Sequence, residues 1–532
     1  MLPCGRKEPP PSAHEFNRLR DIAGAGFAGI YQLYKAREAG MTVRVLEAGE
    51  GVGGTWFWNR YPGARCDVES LDYSYSFCRE LEEEWEWTER YAPQSEILSY
   101  INHVVDRFDL RRDIQLDTRV ASAHFDEDRA LWSVRSEDGE HLEAKFLVMA
   151  TGQLSVPQKP DLHGLDDFKG QWYHSARWPM EGVDFTGQRV VLIGTGSSGV
   201  QMTPIIAAQA SQLTVLQRTA NFSVPAHNMP FTPESLKAAK ARYPERRAMG
   251  REAITGVFLN ANTKTAAEMT EDERIAELEY RWKGAGGGFR MLRAFADLMS
   301  NPQTNHLVAE FARNKIHAVV KDPRKAEILS PKGDLPFGAK RLCVDSNYYD
   351  TFNQNHVDIV DVAIDPIVEA TPSGIRTQTR EFACDAIVFA TGFDAMTGAL
   401  KSIDIRGERG ISLRDKWKDG PTSYLGISIA GFPNLFVIAG PGSPSALSNV
   451  VHSIETHVDW IMRLLRTAQT RQVRRIATLQ EAEDGWVHRC VEEANKTLYP
   501  KAKSWYMGSN MEGKPRRLHG IRVGCTALPS AH

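Results

Sequence analysis

The chain carries the turn GxGxxG twice, as "GAGFAG" (Gly24–Gly29) and as "GTGSSG" (Gly194–Gly199). No other feature restricts the fold as strongly. The glycines of such a turn let the backbone approach a pyrophosphate, and the helix that follows offers free N–H groups and a favourable dipole to the anion. One copy is weak evidence. Two copies, each followed by a helical pattern and a further strand, predict two Rossmann-like dinucleotide-binding domains in an α/β chain. The strand ahead of the second turn, "RVVLI", is continuously apolar. Ahead of the first, "RLRDIA" has only Leu19, Ile22 and Ala23 as apolar residues. A buried parallel strand wants an unbroken apolar run, so this one is expected to be short and frayed.

The residue that ends the next strand discriminates between cofactors. Glu47 follows Gly29 by eighteen residues, and a carboxylate there accepts hydrogen bonds from ribose hydroxyls. With Gly24, Gly26 and Gly29 it predicts a site for FAD or NAD. At the second turn the equivalent place, nineteen residues after Gly199, holds Arg218, followed by Thr219. A guanidinium and a hydroxyl suit a 2′-phosphate. Gly194, Gly196, Ser197, Ser198 and Gly199 with these two residues therefore predict an NADPH site.

At 532 residues the chain exceeds one hydrophobic core, so two or three domains are expected. Short apolar runs alternate with longer helical patterns, as in mostly parallel sheets. Two near-identical strand ends, "FLVMATGQ" (Phe146–Gln153) and "AIVFATGF" (Ala386–Phe393), read as partners of the first turn, which makes the second domain an insertion in the first. The expected division is 1–154 and 386–532 for the FAD domain and 155–231 and 333–385 for the NADPH domain. A charged, helix-forming insert at 232–332 contains the glycine loop Lys283–Gly288. With 64 basic and 67 acidic residues, a net of −3, neither nucleic acid nor an anionic membrane is an expected partner. The apolar runs are strand-length, and "MLPCGRKEPPPSAHEF" lacks the apolar core of a signal peptide, so a cytoplasmic protein is expected. Seven scattered cysteines with no CxxC suggest neither a disulfide framework nor a metal site.

FAD and NADPH on one chain leave disulfide reductases and flavin monooxygenases, and no redox cysteine pair lies near the first domain. The stretch "FKGQWYHSARWP" then matters. Its Phe168, Gly170, His174, Trp178 and Pro179 resemble the FxGxxxHxxxW(P/D) signature of Baeyer–Villiger monooxygenases. "GGTWFWNRYPGARCD" (Gly53–Asp67) is similar to that family's GGxWxxxxYPGxxxD, and "PFGAKRLCVDSNYYDTFN" (Pro336–Asn353) resembles a third family stretch. The likeness is nearest to the phenylacetone and steroid monooxygenase branch.

The resemblance implies that NADPH reduces the flavin, dioxygen adds to it, and the deprotonated flavin peroxide attacks a ketone to give an ester or lactone. Arg341 matches the catalytic arginine that holds the anion, and Asp67 the aspartate that positions it. Lys340 matches a residue holding the 2′-phosphate, and Gly54, Thr55, Trp56 and Asp67 lie in the flavin-side motif. Trp505 matches a tryptophan near the nicotinamide and substrate; Ser445, Ala446 and Leu447 match a substrate-pocket loop. His174 is expected to support coupled oxygenation from an inter-domain hinge, with Pro179 stiffening the linker and Phe168 and Trp178 packing between domains. The expected substrates are dioxygen and an aryl, cyclic or steroid-like ketone, and the expected state is a monomer, with a homodimer open. Two other readings stand beside this one: a flavin monooxygenase that oxidises sulfur or nitrogen, and a non-catalytic dinucleotide-binding relative. The tail "RLHGIRVGCTALPSAH" has no amphipathic period and reads as loop.

Overall fold

The computed structural model describes residues 20–284, 286–444, 447–509, 511 and 513–520. Runs such as Phe146–Met149 and Ala386–Phe389 are buried at every position, the pattern of parallel strands covered on both faces. They belong to two five-stranded sheets, both entirely parallel. The first runs Leu435–Val437, Phe146–Met149, Arg20–Ala23, Arg44–Leu46, Ile114–Gln115. The second runs Val357–Asp361, Gln212–Gln217, Arg189–Ile193, Ala386–Phe389, Gln171–His174. In each, the middle strand leads into a glycine turn and then a helix, Phe27–Glu38 or Ser197–Ala207.

The two Ala-Thr-Gly strands divide differently from expectation. Phe146–Met149 pairs with the first middle strand, but Ala386–Phe389 pairs with the second, in register Ala386 to Val190 through Phe389 to Ile193. The reason is steric and identical in both sheets. A Cβ on Gly24 would lie 2.6 Å from the Ala150 carbonyl oxygen, and one on Gly194 would lie 2.5 Å from that of Ala390. Both glycines also have φ near +110°, a region that L side chains disfavour. Each glycine turn thus has its own Ala-Thr-Gly partner, and the return to the first sheet comes after residue 389 rather than at 386.

The stretch from Phe168 to Pro179 is likewise not a free connector. Gln171–His174 is the edge strand of the second sheet, paired with Ala386–Phe389 from Gln171 through His174. Trp178 packs beside Tyr173 and Phe185, and Phe168 joins the core that covers the other sheet face. The segment expected to be an inter-domain hinge is thus built into the edge of the second sheet.

Arg20–Ala23 is short but central, paired on both sides, so it is not frayed. Its Asp21 is 4% exposed, and Oδ2 has no hydrogen-bond partner among the described residues. Burial, opposed by Arg44 and reinforced by Glu140, pushes its pKa from 3.8 up to about 6. Folding therefore favours the protonated form, and that stability is fully present below pH 3.8 and lost as pH rises through about 6. Asp21→Asn is expected to raise stability by about 2–3 kcal/mol near neutral pH and to change little in acid. Thermal melting of both proteins across that range measures it.

The 232–332 region is helical, with Pro233–Ala241, Tyr243–Glu252, Glu271–Lys283, Gly287–Met291, Pro302–Val319 and Pro323–Leu329. Arg246 locks it to the first domain, donating to both carboxylate oxygens of Asp72 at 3.0 and 2.9 Å and to Glu69 at 2.8 Å. Residues 514–519 of the tail have no helix or strand. Among the described residues, no helix is long and apolar enough to cross a membrane.

Candidate active site

Both glycine turns open into one continuous cleft of about 1980 Å³. From the first domain it is lined by Gly24, Gly26, Glu47, Gly54, Thr55, Trp56 and Asp67. From the second come Gly194, Gly196, Ser197, Ser198, Arg218 and Thr219, with Lys340, Arg341 and Trp505 completing the wall. Gly29 and Gly199 stand just behind it. A Cβ on either would meet the carbonyl oxygen of Gly24 or Gly194 at 1.8 or 2.0 Å, so these glycines let each helix abut its turn.

The cleft fits two dinucleotides. Neither helix that faces it has a side-chain cap at its N-terminus, which leaves N–H groups for an anion. A Cβ on Gly196 would touch nothing within 4 Å; it would project into the space a pyrophosphate needs. Glu47 is buried, and its two oxygens accept from the Ala25 N–H at 2.7 Å and the Gly49 N–H at 2.9 Å. Burial raises its pKa despite those bonds.

At the second turn, Lys340 lies close enough to Arg218 to feel its charge. Burial and then that like charge depress the lysine's pKa, while Asp334 opposes them. A phosphate dianion between the two cations would relieve the repulsion. Lys332 also lines the cleft, a residue that belongs to no motif.

Arg341 and Asp67 come together from motifs 274 residues apart. Arg341 donates from Nε to Asp67 Oδ2 at 2.7 Å and from Nη2 to Oδ1 at 2.8 Å, a two-pronged pair. The Asn221 amide holds the Arg341 carbonyl at 2.8 Å, and the parallel pairing of Ser223–Pro225 with Cys343–Asp345 fixes the backbone behind it. Phe289 lies with its ring 4.9 Å from the guanidinium. Burial works against the charge, but Asp67 and then the Tyr506 hydroxyl keep the guanidinium well above the ordinary arginine range. It stays cationic at every working pH. Asn221, Phe289 and Tyr506 were not singled out from sequence. Each stands beside a recognised signal: Asn221 three residues after Arg218, Phe289 directly after the glycine loop and Tyr506 directly after Trp505.

Two predicted site groups lie elsewhere. His174 is not on the cleft wall. Its Nδ1 accepts from the Ala176 N–H at 3.1 Å, and Nε2 stands 3.3 Å from Oγ1 of Thr391, which does line the cleft. Burial, then Arg177, lowers its pKa against a hydrogen bond to the Gln158 backbone, so the neutral ring meets the cleft through Thr391 and Gln158, which both line it. Leu447 packs in the core with Met396 and Tyr506, off the cleft wall, while Ser445 and Ala446 lie outside the described residues.

Comparison with known proteins fits this geometry. Residues 22–275 match the family described as pyridine nucleotide-disulphide oxidoreductase. A Baeyer-Villiger monooxygenase of Pseudooceanicola batsensis is 42% identical over 495 residues, 93% of this chain and 90% of that protein. The phenazine N-monooxygenase PhzNO1 of Lysobacter antibioticus is 41% identical over 500 residues, 93% and 91% of the two chains. Among solved structures, oxidized steroid monooxygenase bound to NADP superposes with a TM-score of 0.92 at 48% identity, over 96% of this chain and 95% of that one. OTEMO in complex with FAD and NADP gives 0.91 at 40% identity, over 95% of each chain. Likeness along nearly the whole length, with the paired arginine and aspartate facing a double-dinucleotide cleft, places this chain in the Baeyer–Villiger monooxygenase family.

Proposed function

We propose that the protein inserts one atom of dioxygen beside the carbonyl of an aryl, cyclic or steroid-like ketone. The products are an ester or lactone, water and NADP⁺, with FAD as bound cofactor and NADPH as reductant. The observation that carries this reading is the two-pronged Arg341–Asp67 pair on the cleft wall. Bound FAD, reduced by NADPH, supplies the activation of dioxygen. The chain's own part is to hold charge and keep out water. Asp67 fixes the guanidinium plane, so the positive charge is in place before negative charge develops and no reorganisation is needed at that moment. An arginine suits this place because it cannot release its proton there, as a buried lysine can. Trp505, half-buried on the cleft wall beside Tyr506, whose hydroxyl bonds Arg341, is the side chain assigned to exclude solvent there.

Heteroatom oxidation is the second reading, favoured by the likeness to a phenazine N-monooxygenase. A panel of ketones, thioethers and N-heteroaromatics, with products separated by chromatography, decides between them. Ester from ketones supports the first reading; turnover of heteroatom substrates alone rejects it.

Cofactor choice follows from the crowded cations. Lys340→Ala is expected to raise the KM for NADPH about 10- to 100-fold, the range for losing a charge-assisted hydrogen bond. NADH use should stay nearly constant. Initial rates with both cofactors measure the ratio, and equal losses with the two would contradict the 2′-phosphate role.

A further inference from the structure

Arg177 ends the single turn Ser175–Arg177 that follows the edge strand Gln171–His174 of the second domain. Its guanidinium crosses to the first domain and stands 4.7 Å over the ring of Trp58, the last residue of the short helix Thr55–Trp58. Both side chains line the cleft. The position along the cleft is set by Trp58. A Cβ on Gly49 would lie 3.0 Å from the Trp58 indole, and the Gly49 N–H is one of the two that hold Glu47. Arg177 therefore faces the Glu47 end of the first site, the end at which Glu47 would hold an adenosine ribose. Arg119 lines the same region, and its charge acts on both Glu47 and Arg177.

Arg177 is short of partners. Among the described residues it forms no ion pair, and its guanidinium donates only to the adjacent Ala176 carbonyl, at 3.3 Å. Arg119 has only a loose pairing with Glu137 at 3.6 Å. Two exposed cations, one flattened on an indole, leave donors directed at an anion.

We propose that Arg177 is an inter-domain latch for FAD: from the second domain it closes on the adenosine diphosphate half of the cofactor held by the first, with Trp58 as its platform and Arg119 as a second cation. The inference rests on FAD occupying the first site. It couples FAD retention to the position of the second domain, so NADP⁺, by drawing that domain into place, slows FAD release.

The test uses the full-length holoenzyme. FAD release after dilution is followed by the rise in flavin fluorescence for wild type, Arg177→Ala, Arg177→Lys and Trp58→Leu, with and without NADP⁺. Arg177→Ala should release FAD at least about tenfold faster, and Arg177→Lys and Trp58→Leu should fall between it and wild type. NADP⁺ should slow release in wild type and not in Arg177→Ala. Equal melting of the two apoproteins separates the latch from damage to the fold. Should Arg177→Ala fail to fold, Arg177→Lys, which keeps the charge and loses the planar stack, is read instead. Release at the wild-type rate from the folded variant overturns the latch. A wild-type protein that takes up no FAD would overturn the cofactor assignment beneath it instead.

Discussion

Arg341→Ala is expected to lower ester formation by at least about 10²–10³-fold, the cost of removing one preorganised charge stabiliser, while NADPH continues to be consumed. FAD should stay bound, because Gly24, Gly26 and Glu47, the cleft residues proposed to cradle it, are untouched. Oxygen taken up should then appear as hydrogen peroxide. Arg341→Lys should rescue little. An ammonium cannot occupy both Asp67 oxygens in the plane that Arg341 uses, and it sheds its proton more readily when desolvated. Chromatography of the ester, with a peroxide assay on the same sample, gives both readings. Ester formation within a few-fold of wild type would remove Arg341 from the reaction.

The second large effect lies at Asp67. The side chains of Arg341 and Asp67 are 22% and 25% exposed, so the pair is largely but not fully desolvated. Removing one member of a fully buried pair costs about 3–5 kcal/mol; with this much solvent contact Asp67→Ala should cost about 1–3 kcal/mol in unfolding free energy. Turnover should fall about 10²-fold, because the cation survives but loses its aim. The two residues act as a unit, so the losses should not add. The double variant should be no slower than Arg341→Ala alone, and it should recover part of the stability that Asp67→Ala loses, since no unpaired charge remains. Denaturant melts and product assays on the four proteins of the cycle check both statements.

Much of this was legible in the sequence where the signal is local. Glycine turns announce themselves because the contacts they make, Gly24 with Ala150 and Gly194 with Ala390, leave no room for any other residue. Glu47 and Arg218 are legible because a strand of known length places them at the turn. Arg341 and Asp67 needed a family pattern, since nothing within either segment says that chain 274 residues away supplies the partner. Strand pairing was the weak point. Phe146–Met149 and Ala386–Phe389 read alike, both wholly apolar, and apolarity reports burial without saying which sheet is joined. Gln171–His174 was missed as a strand because it is four residues long and sits at an edge, with Trp172 45% exposed. Asp21 misled in the opposite direction: one buried acid made a central strand look weak. Arg177 stood inside the quoted signature, but at a position the pattern leaves free, so only its place over Trp58 gives it meaning.

The most direct measurement supplies the purified protein with a cyclic ketone, NADPH and dioxygen labelled with oxygen-18, and reads the product by mass spectrometry. The account predicts a lactone carrying one labelled atom, in the ring position between carbonyl carbon and migrated carbon, with the carbonyl oxygen unlabelled. Unchanged ketone, with all the label recovered in peroxide and water across the whole ketone panel, would contradict it.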